Sequence, residues 1–282
     1  MKYKGILLSL GRIISVVLLF YIFYILILYF NQESFIFFPS GISNERTEQI
    51  KRSLSNAEEV SIKISENVSV KGWFVKNGVL DKYPLIIYFG GNAEEVSHFT
   101  EKAKYFKNWS FAAINYRGYG QSTGKPGEKE LYSDALAIYD YFSKRADIDT
   151  QKIVVLGRSL GSGVAVYLAK NRAVGGVMLV SPYGSLISLA KRDFPYIPVS
   201  LLLKHRFDSM YNASQISVPM LTLIARDDKI IDPIYSLNLV EKWGGKYNVV
   251  LIDGVGHNNI TYSATFWNKI DEFLDGLKNE KK

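Results

Sequence analysis

The sequence contains no cysteine and only three histidines among its 282 residues. Without cysteine there is no disulfide framework, no thiolate metal site and no cysteine nucleophile. Proton transfer near neutral pH then falls to His98, His205 or His257. An excess of charge of one sign is also missing. The 34 Lys+Arg against 27 Asp+Glu give a net +7, and Lys2, Lys4, Arg12 and the Lys278–Lys282 tail carry most of it. The remaining chain is too evenly balanced for a nucleic-acid binder. Charged residues are 22% against 48% hydrophobic, which excludes a disordered chain. There is no internal repeat, low-complexity tract or long Gly/Ser linker.

What the N-terminus does have is a long hydrophobic run. From Ile13 to Phe30 there are 18 consecutive uncharged residues, about 27 Å of helix and close to one hydrocarbon core. A cleaved signal peptide has a shorter apolar region ending at small residues, yet the first alanine is Ala57. A retained anchor is expected, with Tyr21, Tyr24 and Tyr29 as interfacial side chains. Lys2, Lys4 and Arg12 precede the span, whereas residues 31–50 supply only Arg46. The positive-inside bias then keeps the N-terminus cytoplasmic and places residues 36–282 on the other side.

The rest of the chain alternates. Strands are expected at Glu59–Ile64, Val68–Val75, Pro84–Phe89, Phe111–Asn115, Lys152–Leu156, Gly176–Val180, Met220–Ala225 and Tyr247–Ile252. Helices are expected over 93–108, 128–146, 160–171, 233–243 and 260–274. This rhythm implies right-handed βαβ units, hence an α/β fold with a mostly parallel, doubly wound sheet. Only 182–217 breaks it, with Pro182, Pro195, Pro198 and the apolar Val199–Leu203 run. It reads as a short cap insertion over the strand C-termini, where such sheets place ligands.

The pentapeptide G-x-S-x-G occurs twice, around Ser122 and around Ser159. Context separates the two. Gly157-Arg158-Ser159-Leu160-Gly161 follows the apolar run Ile153–Leu156 and opens a helix, the strand–turn–helix setting of a nucleophile elbow. The first copy lies in a glycine-rich loop. At an elbow the Leu160 amide is one oxyanion donor, and Gly90-Gly91-Asn92 after the Pro84–Phe89 strand offers a second, assigned to the Asn92 amide.

A serine hydroxyl needs a base. His98 lies in an expected helix ahead of the serine, and His205 sits between Lys204 and Arg206, where a surface role is expected. His257, in the loop Asp253-Gly254-Val255-Gly256-His257, is the best-placed base. The orienting acid belongs between serine and histidine in the chain. Asp228 is the first choice, Asp227 second and Asp232 third, with Asp253 left open.

Together these residues resemble the α/β-hydrolase superfamily, and within it the small membrane-anchored serine hydrolases of the bud-emergence type, related to α/β-hydrolase-domain proteins that include depalmitoylases. The resemblance runs through most of residues 31–275. It is carried by Gln32–Pro39, Tyr88–Ala93, Asn115–Ser122, the Ser159 elbow, Ser181-Pro182-Tyr183, Arg226-Asp227-Asp228 and Gly256-His257-Asn258. It implies a triad of Ser159, Asp228 and His257, with an oxyanion hole from the Asn92 and Leu160 amides. One departure is Gly90, where many relatives carry histidine. The expected activity is acyl transfer from an ester or thioester to water, without cofactor or metal. The expected partners are a small-molecule, lipid or acylated substrate and the bilayer. A peptidase or amidase on the same fold and a non-catalytic binding protein are the alternatives. A dinucleotide-binding turn at Gly157–Gly163 lacks the rest of a dehydrogenase.

Overall fold

The computed structural model describes residues 2–279, and at Lys2, Lys4, Gly5 and Asn279 the backbone alone. The terminal charges expected to matter at Lys2, Lys4, Lys281 and Lys282 therefore lie outside the described side chains. The chain opens with α1 (Lys2–Ile36), a 35-residue helix. Within it Ile6–Ile36 is long and apolar enough to cross a membrane, judged by length and composition. The helix outruns the expected 13–30 span at both ends, and Gln32 near its C-terminal end accepts from the Lys204 amide at 2.7 Å. Next comes α2 (Asn44–Ser53), capped by Ser43, whose hydroxyl accepts the Arg46 N–H at 3.1 Å. No apolar periodicity announces this helix, since it buries only Thr47 and Ile50.

Eight strands follow: β1 (Ala57–Lys63), β2 (Ser69–Val75), β3 (Tyr83–Phe89), β4 (Ser110–Ile114), β5 (Ile148–Arg158), β6 (Gly176–Val180), β7 (Met220–Ala225) and β8 (Tyr247–Ile252). They form one sheet in the order β1-β2-β4-β3-β5-β6-β7-β8. Strand β2 is antiparallel to β1 and β4, and every other pairing is parallel. This is the mostly parallel α/β sheet expected from the alternation. Strands β4, β6 and β7 are buried at every residue, which is why they read as unbroken apolar runs.

The expected helix over 93–108 is not one helix. It divides into α3 (Ser97–Thr100) and a 3-10 segment, Glu101–Phe106. Val96, Phe99, Ala103 and Phe106 are all buried, and a three- to four-residue spacing fits either winding. The remaining helices are α4 (Glu128–Ser143), α5 (Leu160–Asn171), α6 (Leu186–Asp193), α7 (Val199–Leu202), α8 (Ser209–Ala213), α9 (Pro233–Val240) and α10 (Ala264–Asn279). The expected 260–274 helix starts later, after a 3-10 turn at Ile260–Tyr262.

Side chains of one strand alternate between two cores. Leu85, Ile87 and Phe89 of β3 join Leu131 and Ile138 of α4 and Val164 and Leu168 of α5 on one face. Ile86 and Tyr88 join Ile50 of α2, Phe99 of α3, and Phe266 and Ile270 of α10 on the other. A sheet covered by helices on both faces exposes its chemistry only at its ends. Asn92, Ser159, Asp228 and His257 each follow the C-terminal end of a strand: β3, β5, β7 and β8.

Candidate active site

Ser159 sits between β5 and α5 with φ 51° and ψ −120°. A non-glycine residue in that region is strained, and such strain persists only where the surroundings hold it. Here the Ser159 N–H donates to Val180 O at 2.9 Å, and its carbonyl accepts from the Ser162 N–H and hydroxyl at 2.9 and 2.7 Å. The flanking glycines are steric requirements. A Cβ at Gly161 would lie 2.1 Å from the Phe89 carbonyl oxygen, and one at Gly157 would lie 2.4 Å from the Gly161 carbonyl oxygen. Side chains at either position would push the helix away from the sheet.

The other pentapeptide has a different role. Ser122 Oγ accepts the Lys71 N–H at 2.8 Å and donates to the Asn115 carbonyl at 3.2 Å. It ties a loop to β2 and does not line the large cavity.

Asp228 and His257 come together. His257 Nδ1 is 2.7 Å from Asp228 Oδ2, with both side chains nearly excluded from solvent. The second carboxylate oxygen, Oδ1, accepts the Ile230 and Ile231 N–H groups at 2.9 and 2.8 Å. Burial raises the Asp228 carboxyl, but the hydrogen bond and charge of His257 and the Ile231 amide outweigh it and hold the group below its ordinary value. The alternatives are occupied elsewhere. Asp227 is exposed, Asp232 caps α9 through the Ile234 N–H at 3.0 Å, and Asp253 pairs with Arg226.

Ser159 and His257 line one cavity of about 1230 Å³, together with Asn92 and Leu160. Among the described residues the Ser159 hydroxyl makes no hydrogen bond, and neither do the Asn92 and Leu160 amides. Because Gly91 O accepts the Glu94 N–H at 3.3 Å, the trans peptide turns the Asn92 N–H the opposite way. The Asn92 carbonyl is held by the Phe38 N–H at 3.0 Å and the Tyr119 hydroxyl at 2.6 Å. His98 is exposed on α3 at the rim of the cavity. His205, expected at the surface, is instead half-buried. Its Nδ1 accepts the Glu128 N–H at 3.2 Å and its ring packs edge-on against Phe37.

A clamp that the sequence does not announce joins the loops around the site, and Glu94, Arg158 and Asn258 line the same cavity. Arg158 Nη1 donates to Glu94 Oε2 at 2.8 Å, and Arg158 Nη2 to the His257 carbonyl and Asn258 Oδ1, both at 3.1 Å. Glu94 also accepts the Gly91 N–H at 3.0 Å and the Tyr88 hydroxyl at 2.6 Å. Burial and the Glu94 carboxylate together push the Tyr88 hydroxyl well above its ordinary value. Gly90 makes room for this arrangement, since a Cβ there would meet Glu94 Cδ at 3.2 Å. Arg158, the second residue of the G-x-S-x-G pentapeptide, was the available signal, but Glu94 lies 64 residues away in sequence.

Two protein families match the chain: one described as "Serine aminopeptidase, S33" over residues 82–193, the other as "Serine hydrolase" over residues 139–276. Both matches and the fold support the α/β-hydrolase superfamily for this chain. Among the hydrolase's relatives, an uncharacterized protein of Mycobacterium tuberculosis is 28% identical over 237 residues, 83% of each chain. Human α/β hydrolase domain-containing protein 17C is 29% identical over 167 residues, 59% of this chain and 50% of that protein, so the hydrolase spans about half of that relative's length. The Pyrococcus furiosus esterase Pf2001 has the same fold, with TM-score 0.68 at 19% identity, covering 86% of this chain and 98% of the esterase.

Proposed function

We propose that this hydrolase is anchored in a membrane by α1 and cleaves carboxylic ester or thioester bonds through Ser159, His257 and Asp228. The observation that carries the reading is the strained Ser159 elbow facing the same cavity as a buried Asp228–His257 pair. With Nδ1 committed to Asp228, His257 keeps Nε2 for the serine proton. Ser159 Oγ then attacks the acyl carbon, and the oxyanion accepts the free Asn92 and Leu160 N–H groups. His257 returns the proton to the departing alcohol or thiol. Water, deprotonated by the same imidazole, releases the acid and restores Ser159. Esters and thioesters rank above amides because alcohols and thiols depart more readily than amines. The long apolar α1 supports the anchor, and the cations ahead of its apolar run support a cytoplasmic N-terminus with the hydrolase on the opposite side.

The test is labelling of folded protein with a fluorophosphonate, followed by rates on p-nitrophenyl esters, acyl thioesters and peptide anilides. Labelling lost in Ser159→Ala and kept in Ser122→Ala is the expected result. Folded protein that never labels indicates a binding protein, and faster anilide than ester turnover indicates a peptidase.

A further inference from the structure

Among the described residues, one surface has an unusual order of charge. Lys191, Arg192 and Asp193 end α6, Lys204 and Arg206 follow α7, and Phe194–Leu203 between them contains no charge. The ten uncharged residues are Phe-Pro-Tyr-Ile-Pro-Val-Ser-Leu-Leu-Leu, and Tyr196 and Leu201 at their tip are 87% and 84% exposed. An isolated exposed leucine means little. Two large exposed side chains on an uncharged tip with cations at both ends are the pattern of a segment that dips into a bilayer, its cations held at headgroup level.

The tip also lies against α1. The Tyr21 hydroxyl donates to the Tyr196 carbonyl at 2.6 Å, and Gln32 Nε2 donates to the Leu202 carbonyl at 3.3 Å. The Lys204 ammonium sits 4.4 Å from the centre of the Tyr29 ring. Ile25, Leu28, Tyr29, Gln32 and Ile36 are the less exposed positions of this part of α1, spaced as one helical face. The rest of its apolar surface is uncovered. At 35 residues, α1 is about 52 Å long against a hydrocarbon core of about 30 Å. A bilayer holding Tyr21 therefore also meets Tyr196.

From this continuity we infer that the Phe194–Leu203 tip of the cap is embedded in the non-cytoplasmic leaflet beside α1, and that the cavity is entered from the lipid side. The inference rests on the anchor reading above. Leu28 and Phe35 of α1 and Phe194, Ile197 and Leu202 of the cap wall the cavity that Ser159 faces. An acyl chain dissolved in the leaflet thus passes between two apolar elements to the serine without crossing water. The substrate class that fits is an acyl ester or thioester whose chain resides in the membrane.

The absence of cysteine makes the test direct. Leu201→Cys, Phe20→Cys and Val79→Cys, each carrying an environment-sensitive NBD label, are reconstituted as full chain in phosphatidylcholine–phosphatidylglycerol vesicles containing doxyl lipids. Quenching at 201 and 20 with none at 79 is expected. Quenching at 20 alone overturns the inference and leaves the anchor standing, including the case in which 201 is shielded by another protein. No quenching at 20 overturns the anchor and the inference with it. In a second arm, Leu201→Asp is expected to slow hydrolysis of a long-chain ester in those vesicles by about tenfold, while a soluble short-chain ester in detergent turns over as before. Equal rates of the variant and the parent protein on the vesicle substrate overturn the inference.

Discussion

Gly120–Gly124 and Gly157–Gly161 share one pentapeptide pattern and have opposite fates in the fold. The first serine spends both its donor and its acceptor capacity on the backbone of a loop and β2. The second keeps its hydroxyl free at a strained turn whose backbone, not its side chain, is satisfied. The motif alone is therefore neutral between a staple and a nucleophile. The strand in front of it and the helix behind it decide, because only that junction aims N–H groups and a hydroxyl at the same volume.

The largest expected effect separates the two copies. Ser159→Ala lowers kcat by roughly five to six powers of ten, whereas Ser122→Ala leaves ester turnover nearly intact and costs about 1–2 kcal/mol of stability, read by urea unfolding. Equal losses of activity would erase the contrast. The acid comes next. Asp228→Asn lowers kcat by about three to four powers of ten, while Asp227→Asn, exposed and away from the imidazole, changes it less than twofold by the same assay.

Gly161→Ala sharpens the steric half of the comparison. Its Cβ meets the Phe89 carbonyl oxygen, and a loss of about 3 kcal/mol is expected, measured as the unfolding midpoint. The corresponding Gly124→Ala, at φ +91°, is strained by backbone conformation, with its nearest neighbours at 3.3 Å, and loses less. Glu94→Gln weakens the hold of Arg158 on the His257 loop and is expected to lower kcat by about tenfold. Simultaneous replacement of both partners by apolar residues is expected to be less destabilising than removal of either, as a double-mutant cycle in Tm reads out.

The smallest effect is in acid. Asp228 and Asp147 both have native carboxyl groups held below their ordinary values, the second chiefly by its hydrogen bond from Arg145, then by Lys76. A lowered native value means the unfolded chain takes up the proton first. The stability from these groups is complete above the unfolded value of about 4 and is lost as pH falls through their native values. Thermal unfolding followed below about pH 4 is expected to show a shallower loss in Asp147→Asn than in the parent.

How far these features were readable in the sequence depended on how local their cause was. Strands β3, β4, β6 and β7 were visible because a strand buried on both faces must be apolar throughout. Ser159 was visible because the elbow is written in five adjacent residues. Asp228 ranked ahead of Asp227 and Asp232 in the sequence, but its pairing with His257 was not written there, since it depends on which side chain turns inward after β7 to meet a residue that follows another strand. Helix α2 escaped because nine polar residues and one isoleucine show no apolar face. The α3 region was misread as one helix because burial of Val96, Phe99, Ala103 and Phe106 suits two windings. The clamp of Glu94 and Arg158 could not be found by spacing at all, being a pairing of loops that only the closed sheet brings together.

The carbonyl of Asn92 hangs from two donors, and one of them is the amide of Phe38, two residues beyond the end of α1. On the proposed anchored-hydrolase reading, the frontier between the part that would sit in lipid and the part that would perform chemistry falls past the helix, not at its last turn. A protease that trimmed this chain back to Ile36 would leave that tether in place, and two more residues lost would slacken the loop on which the developing negative charge is meant to rest.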